Sequence, residues 1–148
     1  MTTFQHSVVI ERPLEEVWEY VIDPANDPVW QGMVTEVRSG GEEPLHVGSQ
    51  IDEVFQFLGR KFDVTLEVTE HEPMSRSAVK ASSGPVPMQG RYRFESVNGG
   101  ATRFSIEGET DAHGLFKLAE PVFARITRRE WDTSCKVLKD LLEARTTP

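Results

Sequence analysis

One long stretch near the end of the chain constrains the fold most, because it predicts a helix that runs across the whole core. It extends from Pro121 to Ala144 and contains no further Gly or Pro. Pro121 suits the first turn of a helix, where no backbone N–H is needed. At 1.5 Å per residue this helix would be about 36 Å long. The other elements are therefore expected to pack around it.

The spacing of residues within this stretch predicts which face of the helix is covered. Six of them recur at helical intervals and should share one side: Val122, Ile126, Glu130, Thr133, Val137 and Leu141. That stripe is apolar at both ends and polar in its middle. A helix that only sealed a core would be apolar throughout, so the pattern predicts a helix that covers a cavity.

Composition limits the class of protein. The chain has 148 residues, which favours a single domain over 1–148 that is large enough for a sizeable core. Its content of 38% hydrophobic and 27% charged residues is typical of a globular protein. The net charge of −8 argues against a nucleic-acid partner.

Targeting signals and cysteine usage predict a cytoplasmic protein. The opening MTTFQHSVVIER lacks the basic and long apolar segments of a signal peptide. No uninterrupted apolar run reaches the ~20 residues that cross a bilayer, so membrane insertion is not expected. A single cysteine, Cys135, excludes an internal disulfide and suits a reducing compartment.

Seven segments have the alternation or composition of strands, and two short helices follow the first of them. The predicted strands are Thr3–Arg12, Val34–Arg38, Gln50–Leu58, Arg60–His71, Ser75–Ser82, Gln89–Val97 and Thr102–Asp111. Pro13 opens the first helix, LEEVWEYVI, and the second lies around Val29–Gln31. One-sided alternation predicts a sheet with one covered face. The expected fold is α+β, a curved antiparallel sheet of about six to seven strands around the long C-terminal helix.

Several motifs resemble one superfamily. The opening IERPLEEVWEYVIDPANDPVW, the VG before the long hairpin, EHEPMSR and GGATRFSIEGE together resemble the START-like, SRPBCC superfamily, in particular its polyketide cyclase/dehydrase-like branch. The resemblance spans nearly the whole chain. It implies a helix-grip fold with a deep hydrophobic cavity between sheet and helix. Members include lipid and hormone carriers and aromatase/cyclases, so the resemblance implies a small hydrophobic ligand but does not choose between carrier and enzyme.

Apolar residues on the predicted inner faces are candidates for the cavity wall. The expected ligand-binding residues are Trp30, Phe55, Phe57, Met88, Phe94, Phe104, Ile106, Phe116, Phe123 and Ile126, with the polar Glu53 and Thr133. Ligand sites are commonly apolar clefts with a few polar groups that orient the ligand. The alternative for each aromatic residue is that it packs as ordinary core. For Glu53 the alternative is a bulge that turns it outward.

Three residues are candidates for acid–base chemistry. Glu130 on the helix stripe would be desolvated, which raises the pKa of a carboxyl group and suits it to proton transfer. Tyr92 falls on the inner face of its strand, and His113 lies in the turn before the long helix. Alternatively, Glu130 turns to the rim and pairs with an arginine, and His113 is simply a polar loop residue.

Other chemistries lack their motifs. The four histidines have no metal-ligand spacing, and HExxH, GxSxG, GxGxxG and Walker sequences do not occur. No metal and no cofactor is therefore expected. Three functions stay open: a hydrophobic-ligand binder, a cyclase/dehydratase-type enzyme, and a protein-interaction module with a filled core. The chain is expected to be a monomer or a homodimer.

Overall fold

The computed structural model describes residues 1–41 and 43–145, and these form a seven-stranded antiparallel sheet with three α-helices. The strands are β1 Thr2–Ile10, β2 Val34–Ser39, β3 Gln50–Phe57, β4 Arg60–Glu72, β5 Arg76–Ser83, β6 Met88–Val97 and β7 Ala101–Thr110. The helices are α1 Leu14–Ile22, α2 Asp27–Trp30 and α3 Glu120–Glu143, with a 3-10 turn at Pro24–Asn26. The predicted α+β helix-grip fold is confirmed.

The sheet is a meander that β1 completes at one edge. Its order is β1-β7-β6-β5-β4-β3-β2, so the first strand pairs with the last and β2 forms the opposite edge. Short turns connect the central strands: Leu58 and Gly59 have φ of 51° and 80°, and Asn98 and Gly99 have 50° and 71°. Positive φ at two successive turn residues matches the twist of the flanking strands. Register shifts between β2 and β3 and between β4 and β5 accompany the curvature of the sheet around α3.

Hydrogen bonds hold the C-terminal end of α3 against the connection between β1 and α1. Arg12 donates from Nε to the carbonyl of Leu142 at 2.9 Å and from a terminal nitrogen to that of Glu143 at 3.2 Å. Lys139 donates from Nζ to the carbonyl of Val9 at 2.6 Å. Because the last carbonyls of a helix lack intrahelical partners, the two Arg12 bonds satisfy carbonyls at the end of α3. Together with the Lys139 bond they fix the position of this end on the sheet.

The covered face of α3 differs from the predicted one. Its buried residues are Phe123, Ala124, Thr127, Trp131, Ser134, Cys135, Leu138 and Leu142. Val122 and Val137 of the predicted stripe are 41% and 38% exposed, and Thr133 is also exposed. The prediction was therefore wrong by one residue, a rotation of about 100°. The observed face carries Phe123, Trp131 and two leucines, and so removes more apolar surface from water.

The outer face of the sheet carries a cluster of opposite charges. Arg91 and Arg93 point outward and contact Glu107 at 3.3 and 3.2 Å. Arg91 also contacts Glu70 at 3.2 Å. Exposed pairs of this kind contribute roughly 0–1 kcal/mol each. They leave the alternate side chains of the same strands, including Tyr92, on the inner face.

Candidate functional site

An apolar cavity of about 130 Å³ lies between the sheet and α3. Eight of the predicted site residues line it, namely Glu53, Phe55, Phe57, Met88, Tyr92, Ile106, Phe116 and Phe123. From α3, Thr127 and Trp131 join Phe123 in the wall. Loop residues Leu45, Val86 and Ala112 contribute as well. The predicted hollow under the helix is therefore present, and part of the aromatic set forms its wall.

Three predicted aromatic residues are core rather than cavity wall. Trp30, Phe94 and Phe104 are at most 6% exposed and none of them lines the cavity. The ring centroid of Phe104 lies 5.8 Å from that of Trp30 and 5.3 Å from that of Phe94. These rings fill the space beside α1 and α2, so the ordinary core interpretation holds for them.

Four other candidates lie outside the cavity: Glu130, Thr133, Ile126 and His113. The rotation of α3 explains the first three. A carboxylate oxygen of Glu130 lies 3.4 Å from where a Cβ on Gly32 would be, so Glu130 packs against the loop after α2. His113 is a surface residue whose Nδ1 lies 3.1 Å from Asp111. The prediction that Glu130 and Thr133 face the cavity was wrong.

A pair of buried carboxyl groups forms the polar part of the wall. Asp27 is the first residue of α2, and Glu53 lies in β3 on the inner face with Ile51 and Phe55. They are 8% and 1% exposed. Burial raises the pKa of Asp27 well above its usual range, and a hydrogen bond to Glu53 raises it further. Burial also raises the pKa of Glu53, whereas the bond from Asp27 lowers it. Asp27 therefore retains its proton at neutral pH, and the two carboxyl groups titrate as a coupled pair.

Tyr92 and Gln31 extend this polar wall. The side-chain amide of Gln31 donates a 2.8 Å hydrogen bond to the hydroxyl oxygen of Tyr92. Burial raises the pKa of Tyr92 well above its usual value, and the nearby carboxyl groups of Asp27 and Glu53 act in the same direction. The phenol is thus neutral, and because its oxygen accepts from Gln31, its own hydrogen is available for donation.

One hydroxyl in the cavity wall is buried without a hydrogen-bond partner in the described part of the chain. It is Oγ1 of Thr127, which lies in α3 and is 3% exposed. A buried polar atom left unpaired costs about 1–3 kcal/mol. Thr127 therefore adds a second polar position to the wall, on the helix side of the cavity.

Two facing glycines create part of the space. Gly90 of β6 pairs with Gly108 of β7, and strand alternation places Gly90 on the inner face with Met88 and Tyr92. A Cβ added to Gly90 would meet only the carbonyl oxygen of Glu107, at 3.7 Å. Gly90 lines the cavity, so the absent side chain contributes to its volume.

Sequence reasoning missed Asp27, Gln31, Thr127 and Trp131 as parts of the wall. Asp27 lies in DPANDP, which predicts a break between helices and gives no sign that one aspartate is buried. Thr127 and Trp131 follow Phe123 at intervals of four, so a helical phase based on the largest apolar residues would have found both. The proximity of Asp27 to Glu53 depends on tertiary structure alone.

Within 1–41 and 43–145, no group of three or more His, Cys, Asp or Glu residues is placed to hold a metal ion. No helix in the described chain is long and apolar enough to cross a membrane.

Fold and cavity together define a helix-grip protein with an apolar pocket under its terminal helix. The chain belongs to the family described as polyketide cyclase / dehydrase and lipid transport, whose model matches residues 1–143. This confirms the superfamily that the sequence motifs resembled. No curated protein gives a significant match.

Solved structures share the fold at low sequence identity. A START superfamily protein from Mycobacterium smegmatis is 13% identical with a TM-score of 0.78, covering 99% of this chain and 100% of that one. The Zhui aromatase/cyclase from Streptomyces sp. R1128 is 16% identical with a TM-score of 0.75, covering 97% and 94%. A conserved protein from Geobacillus kaustophilus is 15% identical with a TM-score of 0.77, covering 95% and 94%. At these identities the likeness concerns the fold alone.

Proposed function

We propose that this protein binds a small hydrophobic molecule in the cavity between the sheet and α3. The observation that carries the proposal is a hollow of about 130 Å³ with an apolar wall and a localised buried polar group. Such a combination of apolar surface and a few orienting groups is typical of small-molecule sites. The family is consistent with this function, since its description includes lipid transport.

The volume sets the size of the molecule. An engineered apolar cavity of about 150 Å³ in another protein stays dry and binds benzene. The present cavity is comparable, so we expect it to hold one substituted ring or a short acyl segment. Rings at Phe57, Phe116 and Phe123 supply an aromatic wall, with centroids of the first two 4.9 Å apart. An aromatic guest can stack or meet these rings edge-on.

The test is a panel of single-ring compounds monitored by thermal unfolding. Binding to the native state raises the melting temperature. We expect toluene, p-xylene or indole to raise it in a dose-dependent manner and to change tryptophan emission, because Trp131 lines the cavity. Trp131→Phe should remove most of the emission change and keep the thermal shift.

A cavity-filling variant provides the decisive comparison. Gly90→Val places a branched side chain in the hollow, which should abolish the ligand-induced shift while the free protein stays folded. The matched control is Gly100→Val, in the β6–β7 turn, where an added Cβ meets no atom within 4 Å. Equal shifts in Gly90→Val and the wild type, or flat curves for the wild type with every compound, would contradict the proposal.

A second function, proton-transfer catalysis on such a ligand, is favoured by the Asp27–Glu53 pair. Dehydration of a β-hydroxy ketone takes a proton from the carbon beside the carbonyl and expels the hydroxyl as water after it has received a proton. The Glu53 carboxylate is suited to the first role and the protonated Asp27 to the second. Both groups lie in the wall of the cavity where a substrate would sit.

This second candidate has its own test. The probe is 3-hydroxycyclohexanone, whose dehydration to the conjugated enone is followed by ultraviolet absorbance. Glu53→Gln should lower turnover at least 100-fold and affect binding far less, whereas Glu130→Gln, outside the cavity, should change neither. A wild-type rate equal to that of buffer would reject this activity, and equal rates in the wild type and Glu53→Gln would reject the assigned base.

A further inference from the structure

We propose that the cavity selects ring-sized ligands that carry a neutral hydroxyl group and rejects the corresponding carboxylates. This inference rests on the proposed binding function and adds the chemical class of the ligand. The geometry points to it because a hydrogen-bond acceptor and a hydrogen-bond donor lie in the same polar section of an otherwise apolar wall.

The acceptor is the carboxyl group of Glu53. The side chain is 1% exposed and lines the cavity. The carboxyl group of Asp27, which also lines the cavity, hydrogen-bonds to it. A ligand in the cavity therefore lies beside a buried carboxyl pair that is satisfied by a donor and not by a further acceptor.

The donor is the hydroxyl of Tyr92. Its oxygen accepts the 2.8 Å bond from Gln31, which orients the phenol and leaves its hydrogen for a ligand. A ligand hydroxyl can accept from Tyr92 and donate to Glu53 at the same time. An ether can only accept, and a hydrocarbon can do neither.

Charge explains why carboxylates are excluded. The ionisable groups that interact with Glu53 are Asp27 and Tyr92, and Asp23 acts on Asp27 in turn. All of these are acids, and the described residues that line the cavity include no Lys, Arg or His. A ligand carboxylate would place a second negative charge beside Glu53 in a site of low dielectric with no cation to compensate it.

Four compounds with the same ring separate this inference from the binding function itself. Toluene tests the cavity, p-cresol adds a hydroxyl, 4-methylanisole blocks the donor, and 4-methylbenzoate carries a carboxylate. Dissociation constants are measured by calorimetry or tryptophan fluorescence at pH 7. We expect p-cresol to bind at least 10-fold more tightly than 4-methylanisole and at least 100-fold more tightly than 4-methylbenzoate.

Variants assign the preference to the carboxyl pair. Glu53→Gln removes the charge and keeps the size, so the advantage of p-cresol over 4-methylbenzoate should fall at least 10-fold. Glu36→Gln removes an exposed carboxylate from β2 and should leave every ratio unchanged. The ratios in the wild type are decisive even if Glu53→Gln does not fold.

The outcomes distinguish the two proposals. If toluene binds but p-cresol binds no more tightly than 4-methylanisole, or 4-methylbenzoate binds as tightly as p-cresol, the inference is overturned and the binding function stands. If none of the four compounds binds, the binding function itself fails.

Discussion

The ring of Phe4 in β1 stacks on the indole of Trp131 in α3, with centroids 5.3 Å apart and planes inclined by 11°. The stack joins the edge strand of the sheet to the helix above it, and both residues line the cavity. Phe4 can adopt this position because its register partner in β7 is Gly108. One glycine therefore allows the contact between sheet and helix.

Replacing Gly90 or Gly108 by alanine should change the free energy of unfolding in opposite directions. A Cβ at Gly108 would lie 2.7 Å from the ring of Phe4 and 2.4 Å from the carbonyl oxygen of Gln89, so Gly108→Ala forces these groups apart. We expect it to lower the free energy of unfolding by about 1–3 kcal/mol. Gly90→Ala has room and should be neutral or stabilise by about 0.4–1 kcal/mol. Urea unfolding of both variants measures this, and equal losses would contradict the argument.

The buried carboxyl pair should make stability fall as pH rises. The folded state raises the pKa of Asp27 from its ordinary value of 3.8, so above about pH 4 the folded chain retains a proton that the unfolded chain releases. The stabilisation is full below the ordinary value and is lost as pH rises. For each retained proton the free energy of unfolding declines by up to about 1.4 kcal/mol per pH unit.

Asp27→Asn should flatten this decline between pH 5 and 8, because asparagine cannot release a proton and still donates to Glu53. Asp140 is exposed, so Asp140→Asn serves as the control. It should leave the slope of unfolding free energy against pH unchanged. Urea unfolding at several pH values measures the slopes. A wild-type stability that rises over this range, or equal slopes in the wild type and Asp27→Asn, would disprove the assignment.

Loss of the Arg12 anchor should loosen the end of α3. Arg12→Met retains the apolar stem but leaves the carbonyls of Leu142 and Glu143 without these donors, and we expect a loss of about 1–3 kcal/mol. Arg103→Met is the control, since its pair with Glu95 is exposed at 46% and 68% and should contribute less than about 1 kcal/mol. Hydrogen exchange of the last turn of α3 should accelerate in the first variant only.

Local patterns predicted most of the architecture. The alternation of Phe62, Val64, Leu66 and Val68 can bury one side only as a strand, and β4 indeed spans Arg60–Glu72. Pro13 before LEEVWEYVI marked the start of α1 at Leu14, where it is the extended N-cap residue of the helix. These patterns involve only residues close together in the sequence, so they predict helices and strands without knowledge of the tertiary contacts.

The site was less predictable because its members come from distant segments. Strand parity placed Glu53 and Tyr92 on the inner face, because successive side chains of a strand point to opposite sides of the sheet. The phase of α3 was wrong, because its sequence offers two stripes one residue apart and the sheet decides which one is covered. That choice buried Thr127 and Trp131 and left Glu130 beside Gly32.

The sequence by itself determined the elements, the side of each strand that is covered, and the family, because these follow from local spacing and motifs. Tertiary structure alone decided that Asp27, 26 positions before Glu53 in the chain, lies against it in an apolar wall. Burial and proximity change the acidity of both groups, and neither is a property of a residue's neighbours in sequence. The acid–base properties of the cavity therefore depend on the tertiary structure and could not be predicted from the sequence.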